Sequence, residues 1–142
     1  LLVCHSLGGL LALQALQQAP ELPVQRVVCL GSPLCGSAAA RGLARRGGHW
    51  AMGRSAALLQ RGFTHWDGAA QVGQIAGCVP RGLGRWLAPL QAGSDGTVGL
   101  DETRLPGLHD HCVVQASHSG LLRSPAAAQQ VLAFLRDGRF VH

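Results

Sequence analysis

The hexapeptide Cys4-His5-Ser6-Leu7-Gly8-Gly9 leaves the chain few ways to begin. Before it stands a short apolar run, Leu1-Leu2-Val3-Cys4, that reads as the end of a buried strand. After it, Leu10, Leu11, Leu13, Leu16 and Ala19 recur at helical spacing until Pro20 stops them. A strand that gives way to a helix around one residue must reverse sharply. Such a turn holds its central residue in a strained left-handed conformation with the side chain exposed. The positions two before and two after Ser6 then lie close together and must be small. Gly8 meets that demand, and Cys4 is small enough to be tolerated at some cost in crowding. The helix starting at Leu7 would aim its free N–H groups at the serine, with the Leu7 N–H placed to bind an oxyanion. The competing reading is an ordinary strand–helix turn that happens to carry a serine.

The rest of the chain repeats the strand–helix theme. Val24, Val27, Val28, Cys29 and Leu30 form a second strand that ends in Gly31-Ser32-Pro33, and its near-continuous apolar character suits a parallel strand covered on both faces. Short helices are expected over 38–46 and 54–60, a third strand over 71–77, a long loop over 78–95 and a fourth strand over 112–116. The last helix is the best delimited: Ser124 can cap it, Pro125 suits its first position, Ala128, Val131, Leu132 and Leu135 form its buried stripe, and Asp137-Gly138 ends it. This order predicts an α/β fold, an open and mostly parallel sheet with helices packed on both faces.

Composition excludes several classes. With 142 residues, 47% hydrophobic and 13% charged, the chain has one core and is not disordered. Its longest apolar stretches are interrupted well before a membrane-spanning length, so no transmembrane segment is predicted. The formal charge of +5 comes from arginine alone, with Arg41, Arg45, Arg46, Arg54 and Arg61 scattered through a Gly- and Ala-rich stretch. Aromatic residues are too few to interleave as base-stacking platforms, so a solvated face is expected and nucleic acid is not. The five cysteines lack regular spacing, and free thiols are expected over a disulfide or a metal site. The chain opens directly in a strand, without initiator Met or targeting segment. It is therefore read as the C-terminal portion of something longer, prone to oligomerise through its first strand.

A serine hydroxyl needs a histidine to accept its proton, and that histidine needs a carboxylate to fix its tautomer. His118, in Ser117-His118-Ser119-Gly120, directly follows the last strand, where a parallel sheet delivers loops to the same edge as the Ser6 turn. His5 is expected to point away and to pack or hydrogen-bond structurally. His109 and His111 fall at the other end of the last strand, His49 and His65 in the loose middle, and His142 in the tail. Asp95, in Gly93-Ser94-Asp95-Gly96-Thr97-Val98, can be presented from a tight turn. Asp101 and Glu102 are the runners-up, while Asp67 and Asp110 precede strands and should lie at the wrong edge.

Together, Cys4-His5-Ser6-Leu7-Gly8-Gly9, Leu30-Gly31-Ser32-Pro33, Asp95-Gly96-Thr97-Val98 and Ser117-His118-Ser119-Gly120-Leu121-Leu122 resemble the α/β-hydrolase superfamily. The likeness is to its bacterial lipase/esterase branch, similar to triacylglycerol lipases and inositol-deacylase-like proteins. The resemblance implies a partial α/β-hydrolase fold, with the four strands matching the fifth to eighth of the family sheet. It implies Ser6 as nucleophile, Asp95 as acid, His118 as base and Leu7 N–H as one oxyanion donor. The family's other donor comes from a loop that would precede this chain, so an N-terminal part of the fold is expected to be missing. Residues 1–142 would then be the C-terminal portion of one domain, with 34–66 in the place of the family's cap or lid. The apolar residues Trp50, Met52, Leu58 and Leu59 suggest an acyl-binding cap, against ordinary core filling beneath a connecting helix.

The implied reaction is cleavage of a small-molecule or lipid ester through an acyl-enzyme, requiring neither a metal nor an organic cofactor. An acyltransferase or a thioesterase would use the same triad, and a non-catalytic binding or scaffold module could use the same fold. The compartment is left open, with a cytoplasmic placement favoured over secretion.

Overall fold

The structure, a computed structural model, describes residues 1–47, 53–81 and 93–142. Its elements are β1 (Leu2–His5), α1 (Leu7–Gln18), β2 (Arg26–Leu30), α2 (Ala38–Arg45), α3 (Ala56–Arg61), β3 (Gln71–Gly77), β4 (Asp110–Val114) and α4 (Pro125–Asp137), with short 3-10 turns at Asp101–Thr103 and Gly120–Arg123. The four strands form one sheet in the order β1-β2-β3-β4, and every neighbouring pair is parallel. All strands therefore deliver their C-terminal ends to one edge.

Alternation along the central strands divides the core in two. Val27, Cys29 and Val72 face α1 and α3, where they pack with Leu10, Leu13, Leu16 and Leu58. Val28, Leu30 and Ile75 face the opposite side and pack with Ala127 and Phe134 of α4. Burial on both faces explains why β2 reads as a near-continuous apolar run rather than as an alternating one, whereas β3 carries Gln74 within its buried stretch. Gly73 belongs to this packing: a Cβ there would come within 2.5 Å of the Phe134 ring. At the start of α4 the Ser124 hydroxyl accepts the Ala127 N–H at 3.2 Å, Pro125 takes the first turn, and Gly138 closes the helix at φ 75°.

The fourth strand departs from the expected 112–116. It begins two residues earlier and ends at Val114, whose partner Gly77 is the last residue of β3. Beyond it the chain turns across the end of β3, with Ala116 N–H bonded to Val114 O at 2.8 Å and Ala116 O accepting the Val79 N–H at 3.1 Å. A Cβ on Gly77 would strike Ala116 O at 2.5 Å, so this crossover depends on a glycine. Most of the loop expected over 78–95, including Gly82, Gly84 and Pro89, lies outside the described residues, as do His49, Trp50 and Met52. All five cysteines are free thiols. No helix among the described residues is long and apolar enough to cross a membrane.

Candidate active site

Ser6 occupies the single-residue junction between β1 and α1, at φ 54° and ψ −125°. Among the described residues it is the one non-glycine with positive φ. That conformation costs on the order of 1–3 kcal/mol and persists only where the surroundings enforce it. The enforcement is visible: the Ser6 N–H is bonded to Leu30 O of β2 at 2.9 Å, and α1 starts at the very next residue. Packing of α1 on the sheet fixes the turn further, since a Cβ on Gly9 would meet Ser32 Oγ at 2.3 Å and Cys29 Sγ at 3.0 Å.

The loops leaving β3 and β4 bring Asp95 and His118 to the same edge. His118 Nε2 stands 3.0 Å from Ser6 Oγ, and His118 Nδ1 stands 2.7 Å from Asp95 Oδ2. The carboxylate can only accept, so Nδ1 carries the proton and Nε2 is free to accept from the serine hydroxyl. Asp95 is 1% exposed, and its other oxygen accepts the N–H groups of Thr97 at 2.9 Å and Val98 at 2.7 Å. The backbones of the two loops are joined as well, His118 N–H to Asp95 O at 2.9 Å. The result is a His–Asp hydrogen bond and a His–Ser hydrogen bond in the arrangement of a catalytic triad.

The runners-up fall elsewhere. Asp101 is exposed, and Glu102 turns toward the start of α2. Asp67 is exposed ahead of β3, and Asp110 opens β4 at the far end of the sheet. His111 Nε2 donates to the Thr103 hydroxyl, which itself bonds Leu100 O, and His142 pairs with Asp110. His5, expected to serve only packing or a structural hydrogen bond, donates from Nε2 to the backbone oxygen of His118 at 3.0 Å. Its ring lies 4.6 Å from the His118 ring, and burial keeps it below the ordinary histidine pKa. Burial likewise raises the pKa of Cys4, the small residue beneath the turn.

A cleft of about 190 Å³ opens beside Ser6 and Leu7. One wall is α2 and its approach, through Ser37, Ala39, Ala40 and Leu43; another is the acid turn, through Thr97 and Val98. Leu59 also lines it, whereas Leu58 belongs to the core under α1. Leu7 opens α1, so its N–H is among those without an intrahelical partner. Two features escaped the sequence reading. Gly31 was legible only as part of a strand-end motif, and Glu102 only as an alternative acid.

A family model described as alpha/beta hydrolase matches residues 1–62. Comparison with curated protein sequences gave no significant match. Among solved structures, the mature form of the Bacillus licheniformis lipase BlEst2 superposes with a TM-score of 0.69 at 21% identity, over 96% of this chain and 64% of that one. The propeptide form of the same lipase gives 0.69 at 23% identity, over 95% of this chain and 35% of that one. The chain thus spans less than two thirds of the length of either form. At these identities the likeness is one of fold. It corrects the expectation of a resemblance to a C-terminal portion only, since the structural likeness runs through nearly the whole of this chain.

Proposed function

We propose that this protein is a serine hydrolase that cleaves carboxylic esters through an acyl-enzyme, with Ser6 as nucleophile, His118 as base and Asp95 as acid. The observation that carries the reading is the continuous relay of Ser6 Oγ, His118 Nε2, His118 Nδ1 and Asp95 Oδ2, with contacts of 3.0 and 2.7 Å, ending on a strained serine. As Oγ attacks the ester carbonyl, its proton passes to His118 Nε2, and the buried carboxylate stabilises the imidazolium. The Leu7 N–H binds the oxyanion of the tetrahedral intermediate. Collapse expels the alcohol, which leaves with the proton from His118, and water attacks the acyl-enzyme through the same groups.

Residues 34–66 act as the cap over the acyl site. Support comes from the described parts of that segment, since Ala39, Ala40, Leu43 and Leu59 all line the cleft beside Ser6. The contribution expected from Trp50 and Met52 lies outside the described residues.

The test is covalent labelling with a fluorophosphonate together with hydrolysis of short p-nitrophenyl esters. The protein should incorporate one label and turn over the esters, and Ser6→Ala should abolish both while keeping the circular dichroism of the parent. A label that persists in Ser6→Ala would refute the assignment.

A further inference from the structure

Glu102 takes no part in the relay, yet it is 7% exposed and both carboxylate oxygens are occupied. One accepts the N–H of Ala38, the first residue of α2, and the other accepts the Gly99 N–H at 3.0 Å. Its backbone oxygen accepts the Cys35 N–H at 2.9 Å. Burial raises its pKa, so an ionisable group is kept here against a desolvation cost. The bonds from Ala38 and Cys35 join two segments distant in sequence, the approach to α2 and the exit from the acid turn, and the Gly99 bond ties Glu102 back to that turn. Both segments line the cleft, through Ser37, Ala39 and Ala40 from the first and Thr97 and Val98 from the second.

The geometry points to Glu102 as the clasp that sets the separation of the two cleft walls and thereby the acyl-chain selectivity of the site. The inference rests on the ester-hydrolase reading. Glu102 is a positioning residue, acting through the backbone of α2 and of the acid turn without touching the substrate. The relay does not depend on it. Asp95 is held by its own bonds to Thr97, Val98 and His118, and its N–H is bonded to Val98 O at 3.1 Å. Loosening the clasp should therefore change how a long acyl chain fits more than how the proton moves.

Glu102→Gln keeps the volume but presents an amide NH2 to one of the two N–H groups now bonded, so one strand of the clasp opens. The chain and this variant are compared on p-nitrophenyl acetate, butanoate and octanoate. The fall in kcat/KM should grow with acyl length, reach roughly tenfold more for octanoate than for acetate, and be carried by KM. The same loss at every length, a loss carried by kcat alone, or no loss would each overturn the inference. A binding arm separates this outcome from failure of the hydrolase reading: octanoate and dodecanoate are titrated calorimetrically into Ser6→Ala, with and without Glu102→Gln. An inert parent enzyme would refute the ester-hydrolase reading, while the titration still decides the clasp: weaker binding supports it, and equal affinity overturns it. Glu102→Asp, whose shorter arm cannot span both partners, provides a second variant should Glu102→Gln fail to fold.

Discussion

Gly31 lies against the Asp95 carboxylate: a Cβ at residue 31 would stand 3.0 Å from Asp95 Oδ2 and 3.2 Å from His118 Nδ1. The backbone there has φ 55°, in the region that disfavours L side chains, so glycine is required both by conformation and by space. Gly31, directly after β2, thus places backbone without a side chain over the His118–Asp95 hydrogen bond. Gly31→Ala should strain the backbone by about 1–2 kcal/mol and push the 2.7 Å contact apart. Turnover of a short ester should fall on the order of 100-fold, because a misplacement of about 1 Å at the reacting groups costs that much. The measurement is kcat together with the low-field proton resonance of His118 Nδ1–H. Full turnover with an unmoved resonance would contradict this role.

Asp95→Asn tests the direction of the relay rather than its presence. The native carboxylate accepts three N–H groups from the protein, two backbone donors on Oδ1 and His118 on Oδ2. An asparagine oxygen would stay with Thr97 and Val98, leaving its NH2 against His118 Nδ1. That nitrogen must then accept, which moves the imidazole proton to Nε2 and removes the acceptor for Ser6. The same substitution in a serine protease lowers turnover about 10⁴-fold with its geometry intact. A loss of that order is expected here, with thermal stability changed little. A loss below tenfold would show that Asp95 does not set the tautomer.

Much of this arrangement is written locally. The apolar run of β2, the Ser124-Pro125 start of α4 and the small residues around Ser6 each express one physical demand within a few positions. A parallel sheet adds the rule that loops after strands share an edge, which selects Asp95 and His118 over the acids and histidines that precede strands. The features that escaped are those made between distant segments. Nothing in Cys112-Val113-Val114-Gln115-Ala116 reveals that Ala116 must turn across Gly77, so β4 ends earlier than its apolar run. Glu102 reads as a spare acid because its partners, Ala38 and Cys35, are more than sixty residues away.

Arg26 offers a stability test remote from the cleft. At the start of β2 its guanidinium donates to Leu135 O at 2.8 Å and Arg136 O at 3.0 Å, and its Nε donates to Gln71 Oε1 at 2.8 Å. It therefore satisfies carbonyls at the end of α4, which otherwise lack helical partners, and places a cation where the helix dipole favours one. Arg26→Met keeps the aliphatic stem and removes these bonds. It should lower stability by about 1–3 kcal/mol in denaturant unfolding. The rate constant for short esters should barely move, because α4 lies across the sheet from α1.

Asp110, at the start of β4, ties down the C-terminal tail, and its contribution should carry a pH signature. Its carboxylate accepts the Phe140 N–H at 2.7 Å, the His111 N–H at 2.8 Å and His142 Nε2 at 2.9 Å. Phe140 is thereby held with its ring 4.9 Å from Phe134, inside the core beneath α4. Burial raises the Asp110 pKa, but the bonds from Phe140, His142 and His111 outweigh it, and the net shift is below the ordinary 3.8. A carboxyl whose folded pKa is depressed adds stability that is fully present above its unfolded pKa and is lost as pH falls through the folded value. The His142 partner is 63% exposed and should add little, so the backbone bonds supply most of the effect. Asp110→Asn should therefore destabilise the protein by about 1–2 kcal/mol at pH 7. The gap to wild type should begin to shrink once the pH drops below 3.8. His142→Ala should stay close to wild type at pH 7. Urea unfolding of the three proteins across that range is the measurement. A wild-type to Asp110→Asn gap that stays constant with pH would show that the charge on Asp110 is not what holds the tail.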